Sequence, residues 1–170
     1  MPELYPFLLR PEFGDRVWGA RDLAPVYDHK RSSDQPPIGE VWLTGDECCV
    51  ATGALTGKTL AEVTKRFGRR LTGEASDTTN RFPVLIKFLF PREKLSVQVH
   101  PDDDAAKELG QPCGKTECWY VLAAGEGAQV ALGLKPGITR EQFRQAIAQT
   151  RAEELLNWMD IHAGEMIYAD

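Results

Sequence analysis

Six short segments with strand-like composition follow one another along the chain, and they constrain its fold more than any other feature. Each is rich in apolar and β-branched or aromatic residues and is bounded by Gly, Pro or Asp clusters. They span residues 39–44, 83–90, 94–100, 117–123, 128–134 and 165–169. Regular crossover helices do not separate them, as a parallel sheet would require. The order therefore predicts an all-β fold with helical insertions, an antiparallel barrel or sandwich.

Helix starts are marked by capping boxes, in which a Ser or Thr precedes a Glu or Gln by three positions. The pairs are Thr59 with Glu62, Thr139 with Gln142, and Thr150 with Glu153. The first pair predicts a helical insertion near residues 59–72. A shorter helix is expected after Pro101, beginning at Asp102 or Asp103. Residues 73–80 are rich in Ser, Thr and Asp and predict a loop.

Size and charge limit the classes of function. A chain of 170 residues fits one domain, spanning 1–170. Twenty Lys and Arg against 25 Asp and Glu give a net charge of −5, which argues against nucleic acid or an anionic membrane as partner. The N-terminus has no basic leader, and no apolar run is long enough to span a bilayer. These features predict a cytoplasmic location.

Two segments carry side chains suited to catalysis. In a strand over residues 94–100, Ser96, Gln98 and His100 would share one face, opposite the apolar residues. In the segment after Gly114, Lys115 and Glu117 share a face at the same period of two. Imidazole, carboxylate and amide donors make a mixed shell for zinc or another divalent ion. An ordinary half-buried strand with a solvated polar face remains the alternative.

The two segments also carry a family resemblance. LIKFLFPREKLSVQVHPDDD at residues 85–104 and GKTECWYVL at residues 114–122 closely resemble the type I mannose-6-phosphate isomerases, or phosphomannose isomerases. Further landmarks of that family occur in the same order, so the resemblance covers nearly the whole chain. They are RVWG at residues 16–19, IGEVW at 38–42, ALGL at 131–134 and LLNW at 155–158.

The resemblance implies a cupin-type antiparallel β-barrel or jelly roll that binds one zinc ion per chain, with other divalent ions as alternatives. It implies interconversion of mannose 6-phosphate and fructose 6-phosphate through a cis-enediol. The implied metal ligands are Gln98, His100 and Glu117. Lys115 is the implied catalytic acid or base, and the implied substrate-binding residues are Ser96, Lys87, Trp18 and Glu40.

The C-terminal segment departs from the family pattern. The family's fourth metal ligand is a histidine that follows a motif matched here only by residues 164–170. The resemblance therefore implies a chain truncated at the C-terminus and a barrel incomplete at that edge. An uncovered edge strand is prone to pairing, so we expect a homodimer through it. Three alternatives stay open: a non-catalytic cupin that binds a sugar phosphate, an inactive fragment of the isomerase, and an interaction module that uses the edge.

Overall fold

The computed structural model describes residues 3–74 and 81–169. It consists of two compact units, residues 1–95 and residues 96–170. Most of the predicted loop at residues 73–80 lies outside the described residues. The prediction of a single domain over 1–170 stays a prediction.

The first unit contains a three-stranded antiparallel sheet. Its strands are β1 (Glu12–Ala20), β2 (Ile38–Trp42) and β3 (Lys87–Leu89), in the order β1-β2-β3. Strand β1 bulges, because Asp15 and Ala20 both pair with Ile38 and the residues between them have no partner on β2. Buried Ala20, Leu23, Ile38 and Val41 form the core beneath this sheet.

A helical insertion follows in the same unit. Helix α1 spans Leu60–Phe67 and helix α2 spans Arg69–Thr72. The capping box of Thr59 and Glu62 is complete, since each side chain accepts a hydrogen bond from the other residue's backbone N–H. The insertion packs on a second core of Val50, Leu55 and Val63.

Over residues 96–169, the second unit contains two antiparallel strand pairs, two α-helices and a short 3₁₀ helix. Helix α3 spans Asp103–Glu108 and helix α4 spans Arg140–Ala148. The strands are β4 (Glu117–Tyr120), β5 (Gln129–Leu134), β6 (Leu156–Asp160) and β7 (Met166–Ala169). Strand β4 pairs with β7, and β5 pairs with β6.

The architecture agrees with the predicted class, because it is mostly strands with few helices and every paired strand is antiparallel. Within the described residues the strands form three separate sheets rather than a closed barrel. Helix α4 starts at the predicted Thr139–Gln142 capping box, and Asp102 caps α3 through a hydrogen bond from the Ala105 N–H. Strands β1 and β6 were not predicted, because β1 carries two Gly and two charged residues near its centre and β6 follows a helix signal.

Two predictions of local structure are wrong. Residues 94–100 form no strand, and Val99 is 80% exposed rather than on a buried face. No strand in 3–74 or 81–169 pairs with this segment, and an unpaired strand is not stable in water. The Thr150–Glu153 pair does not form a capping box either. Thr150 has a φ of 59°, and a short 3₁₀ helix begins later, at Ala152.

The helices of the described residues are short. The longest, α4, has nine residues, and in residues 3–74 and 81–169 we find no helix with the length and apolar character that crossing a membrane demands.

Candidate active site

A tight contact between two loops in the second unit positions the candidate catalytic side chains. Asp102 caps helix α3, and the Asp103 side chain accepts a hydrogen bond from the Gly114 N–H at 2.8 Å. The Lys115 N–H donates to the Pro101 carbonyl at 3.1 Å. A methyl group on Gly114 would lie 2.5 Å from the Asp102 carbonyl carbon, so only glycine allows this approach. The contact brings Lys115 next to His100, which lies two residues before the Asp102 cap of α3.

Three of the predicted residues meet at this point. Lys115 Nζ lies 2.5 Å from Glu117 Oε1 and 3.0 Å from His100 Nε2. His100 Nε2 lies 3.6 Å from the same Glu117 oxygen. The side chains of His100 and Glu117 are mostly buried, whereas that of Lys115 is more open to solvent. An ammonium group, an imidazole and a carboxylate therefore share one small cluster, in which the lysine side chain is the most exposed.

The two remaining predicted residues of this unit form a separate contact. Gln98 Nε2 donates a hydrogen bond to Ser96 Oγ at 3.0 Å, and both residues are exposed. This contact leaves the Gln98 carbonyl oxygen available as a donor atom to a cation. The predicted residues of this unit thus form two groups: Ser96 contacts Gln98, and Lys115 contacts His100 and Glu117.

The chemistry of this cluster fits a cation. The Lys115 ammonium already occupies a cation position against the Glu117 carboxylate, and an imidazole nitrogen lies beside it. Zinc accepts both nitrogen and oxygen ligands of this kind. Among residues 3–74 and 81–169, no group of three or more His, Cys, Asp or Glu side chains is arranged to hold a metal ion. The predicted ligand set contains only two such side chains, and its third member is an amide.

The first unit holds the other predicted substrate-binding residues on neighbouring strands. Glu40 on β2 is 6% exposed and accepts a hydrogen bond from Lys87 Nζ on β3 at 2.7 Å. Trp18 on β1 lies across Gly39, where an added Cβ would come within 2.6 Å of its ring. The sheet therefore brings Glu40 and Lys87 into direct contact and places Trp18 over the residue that precedes Glu40.

The surroundings of Glu40 keep its carboxyl group ionised. Burial alone would raise the pKa of Glu40, but hydrogen bonds from Lys87 and Trp42 and the charges of Lys87 and Arg16 outweigh it. The pKa of Glu40 therefore lies below its ordinary value. A buried carboxylate held by two cations is a fixed negative charge at neutral pH.

Sequence reasoning missed two residues that organise these clusters. Arg16 donates from Nη2 to Glu40 Oε2 at 2.6 Å, and Asp103 anchors Gly114. Arg16 lies inside the RVWG landmark, so the motif was noted but the arginine was given no role. No pattern of neighbouring residues predicts either contact, because the partners lie 24 and 11 residues apart in the chain.

Comparison with known proteins identifies the family. Residues 7–133, most of the chain, match the family model described as phosphomannose isomerase type I, catalytic domain. The chain belongs to this family. The phosphomannose isomerase resemblance proposed from the two motifs is thereby confirmed.

Individual phosphomannose isomerases show how much of the family's length is present. The chain is 36% identical to the probable mannose-6-phosphate isomerase GmuF of Bacillus subtilis, over 96% of this chain and 52% of that protein. It is 33% identical to the mannose-6-phosphate isomerase of Streptococcus mutans, over 96% of this chain and 51% of that protein. The chain therefore spans about half the length of the curated relatives it matches.

Solved structures agree with this assignment. The crystal structure of the mannose 6-phosphate isomerase from Bacillus subtilis matches 96% of this chain and 52% of its own, with 32% identity and a TM-score of 0.79. A protein from Archaeoglobus fulgidus described as a putative mannosephosphate isomerase matches with 21% identity and a TM-score of 0.74, which supports the fold alone.

Proposed function

We propose that this chain carries the metal and catalytic residues of a mannose-6-phosphate isomerase, an enzyme that interconverts mannose 6-phosphate and fructose 6-phosphate. The observation that carries the proposal is the cluster of His100, Lys115 and Glu117, in which Lys115 Nζ contacts both other side chains at 2.5 and 3.0 Å. Family membership supports it, as do the names of the relatives.

We propose Gln98, His100 and Glu117 as ligands of one zinc ion per chain, other divalent ions being the alternative. The contact of an ammonium group with Glu117 supports a cation at this carboxylate. A bound metal would stabilise the negative charge that develops on the sugar oxygens. Such a metal would repel the Lys115 ammonium, because both cations would lie against the Glu117 carboxylate.

The reaction that we propose is a proton transfer through a cis-enediol. A proton leaves C2 of the aldose and O1 gains a proton, which gives the cis-enediol. O2 then loses its proton and C1 gains one, which gives the ketose. Lys115 is the proposed acid or base, because its Nζ lies within hydrogen-bond distance of an imidazole and is exposed to solvent. Ser96 is the proposed hydrogen-bond donor to phosphate, and Trp18, Glu40 and Lys87 stay the residues assigned to substrate by resemblance.

We also propose three further properties of the protein: a cupin-type barrel or jelly roll, a cytoplasmic location, and a homodimer through the edge of β7. In residues 3–74 and 81–169, β7 pairs with β4 alone, which supports a free edge in this part of the chain.

The test is a coupled isomerase assay on the 170-residue chain with mannose 6-phosphate and added zinc. His100→Ala should abolish turnover, whereas His162→Ala should retain it, since His162 contacts Glu165 instead. A His100→Ala variant that turns over mannose 6-phosphate at the wild-type rate would refute the assigned site. Binding of mannose 6-phosphate without turnover in the wild type would instead support the non-catalytic sugar-phosphate-binding alternative.

A further inference from the structure

The side chain of Glu40 is engaged on every side by this chain's own residues. Its Oε1 accepts from Lys87 Nζ at 2.7 Å. Its Oε2 accepts from Arg16 Nη2 at 2.6 Å and from Trp42 Nε1 at 3.2 Å. The Glu40 side chain is only 9% exposed, and three donors on its carboxylate leave little capacity for a bond to substrate.

Arg16, Trp42 and Lys87 form a network around Glu40, and their other contacts hold this network in one geometry. Lys87 pairs with Trp42 across β2 and β3, and its Nζ lies 5.8 Å from the centre of the Trp42 ring, within cation–π range. Arg16 lies in the bulge of β1, and its side chain crosses Gly39. A Cβ added at Gly39 would lie 2.5 Å from the Cβ of Arg16. The missing side chain at Gly39 is what lets Arg16 approach Glu40.

The charges of the network do not cancel. Arg16 and Lys87 carry two positive charges against the single negative charge of Glu40, while the neighbouring Asp15 is paired with Arg31 at 2.6 Å. The Lys87 ammonium has three N–H donors and, among the described residues, gives one to Glu40. The Lys87 side chain is 22% exposed, and its ammonium keeps donors that the described residues do not use, so it is suited to an anionic group such as a phosphate ester.

From this geometry we infer that Glu40 is a positioning residue, which fixes the Lys87 ammonium for an anionic ligand and does not itself touch that ligand, with Arg16 holding the second carboxylate oxygen. The inference rests on the proposed function only for the identity of the anion as a sugar phosphate. It replaces the role of direct substrate binder that the resemblance implied for Glu40.

The experiment is a titration of the 170-residue chain with inorganic phosphate, followed through the indole N–H signal of Trp42 in ¹H–¹⁵N spectra. The chain has four Trp residues, and Trp42→Phe assigns the signal. In the wild type, we expect phosphate to shift this signal saturably. Lys87→Met should remove the shift, and the matched control Arg31→Gln should retain wild-type affinity, because Arg31 pairs with Asp15 and not with Glu40.

Glu40→Gln separates positioning from simple charge. Removing a negative charge would by itself tighten phosphate binding. Loss of the Glu40 carboxylate also frees the Lys87 side chain. Phosphate must then immobilise that side chain on binding, which should weaken affinity by about 2- to 12-fold. Arg16→Lys, at a side chain that is 42% exposed, keeps the positive charge but loses the guanidinium contact with Glu40; it should also weaken binding and serves if Glu40→Gln fails to fold.

Two results would overturn the inference. One is phosphate binding to a folded Glu40→Gln or Arg16→Lys variant that equals or exceeds that of the wild type. The other is the absence of a saturable Trp42 shift in the wild type. Neither result depends on turnover. Failure of the isomerase assay with this binding pattern intact would therefore count against the proposed function alone.

Discussion

Replacing Gly114 with Ala tests whether this glycine is required for the loop contact beside the candidate catalytic cluster. The added methyl group would lie 2.5 Å from the Asp102 carbonyl carbon, 2.7 Å from the Asp103 nitrogen and 2.7 Å from the Pro101 oxygen. All three are backbone atoms, so no side chain can rotate to relieve the clash. The two loops must separate, and the separation moves Lys115 away from His100.

The cost follows from the contacts that separation breaks. Two hydrogen bonds are lost, Gly114 N–H to Asp103 Oδ1 and Lys115 N–H to the Pro101 carbonyl. Together they contribute about 1–3 kcal/mol. Forcing a methyl group into a packed contact costs about 1–3 kcal/mol more. We therefore expect Gly114→Ala to lower the free energy of unfolding by about 2–6 kcal/mol.

Urea unfolding followed by circular dichroism measures the effect. Gly125→Ala is the matched control, because a Cβ there meets nothing within 4 Å and its backbone is not left-handed. The control should change stability by less than about 0.5 kcal/mol. Equal stability of the Gly114→Ala and Gly125→Ala variants would refute the claim that this glycine is required for the loop contact.

Three further predictions address other parts of the molecule. Glu117→Ala should abolish zinc binding measured by isothermal titration calorimetry, and binding at wild-type affinity would exclude Glu117 as a ligand. Because the pKa of Glu40 is below its ordinary value of 4.5, its stabilisation is present above that pH and is lost as pH falls through the folded-state pKa. The stability difference between wild type and Glu40→Gln in urea unfolding should therefore shrink in acid, and a constant difference would contradict this. Thr139→Ala should cost about 0.5–2 kcal/mol in thermal unfolding by removing the cap of α4, and Thr150→Ala should cost clearly less, because Thr150 is not a cap; equal costs would contradict the assignment.

Local signals were easily read from the sequence where the interacting atoms are close in the chain. The capping boxes at Thr59 and Thr139 formed because both partners lie within one helical turn. The Thr150 pair had the same spacing and failed, because the backbone there turns left-handed. A capping pattern reports an available interaction, and the surrounding chain decides whether it forms.

Strand predictions depended on a neighbour that composition does not reveal. Residues 117–123 contain a true strand because β7 supplies a partner for β4. Residues 94–100 alternate polar and apolar side chains and yet stay unpaired in the described part of the chain. Alternation predicts which face a residue would occupy, whereas hydrogen bonds from another segment make the strand.

The sequence alone determined the family, the antiparallel class, the principal helix starts and the identity of the candidate catalytic residues, because motifs and caps are written in neighbouring positions. Only the tertiary structure decided that Lys115 bridges His100 and Glu117, and that Glu40 is enclosed by Arg16, Trp42 and Lys87. Arg16 and Lys87 are separated from Glu40 by 24 and 47 residues. Contacts over such distances arise from strand register and bulges, which the packing of the whole sheet selects.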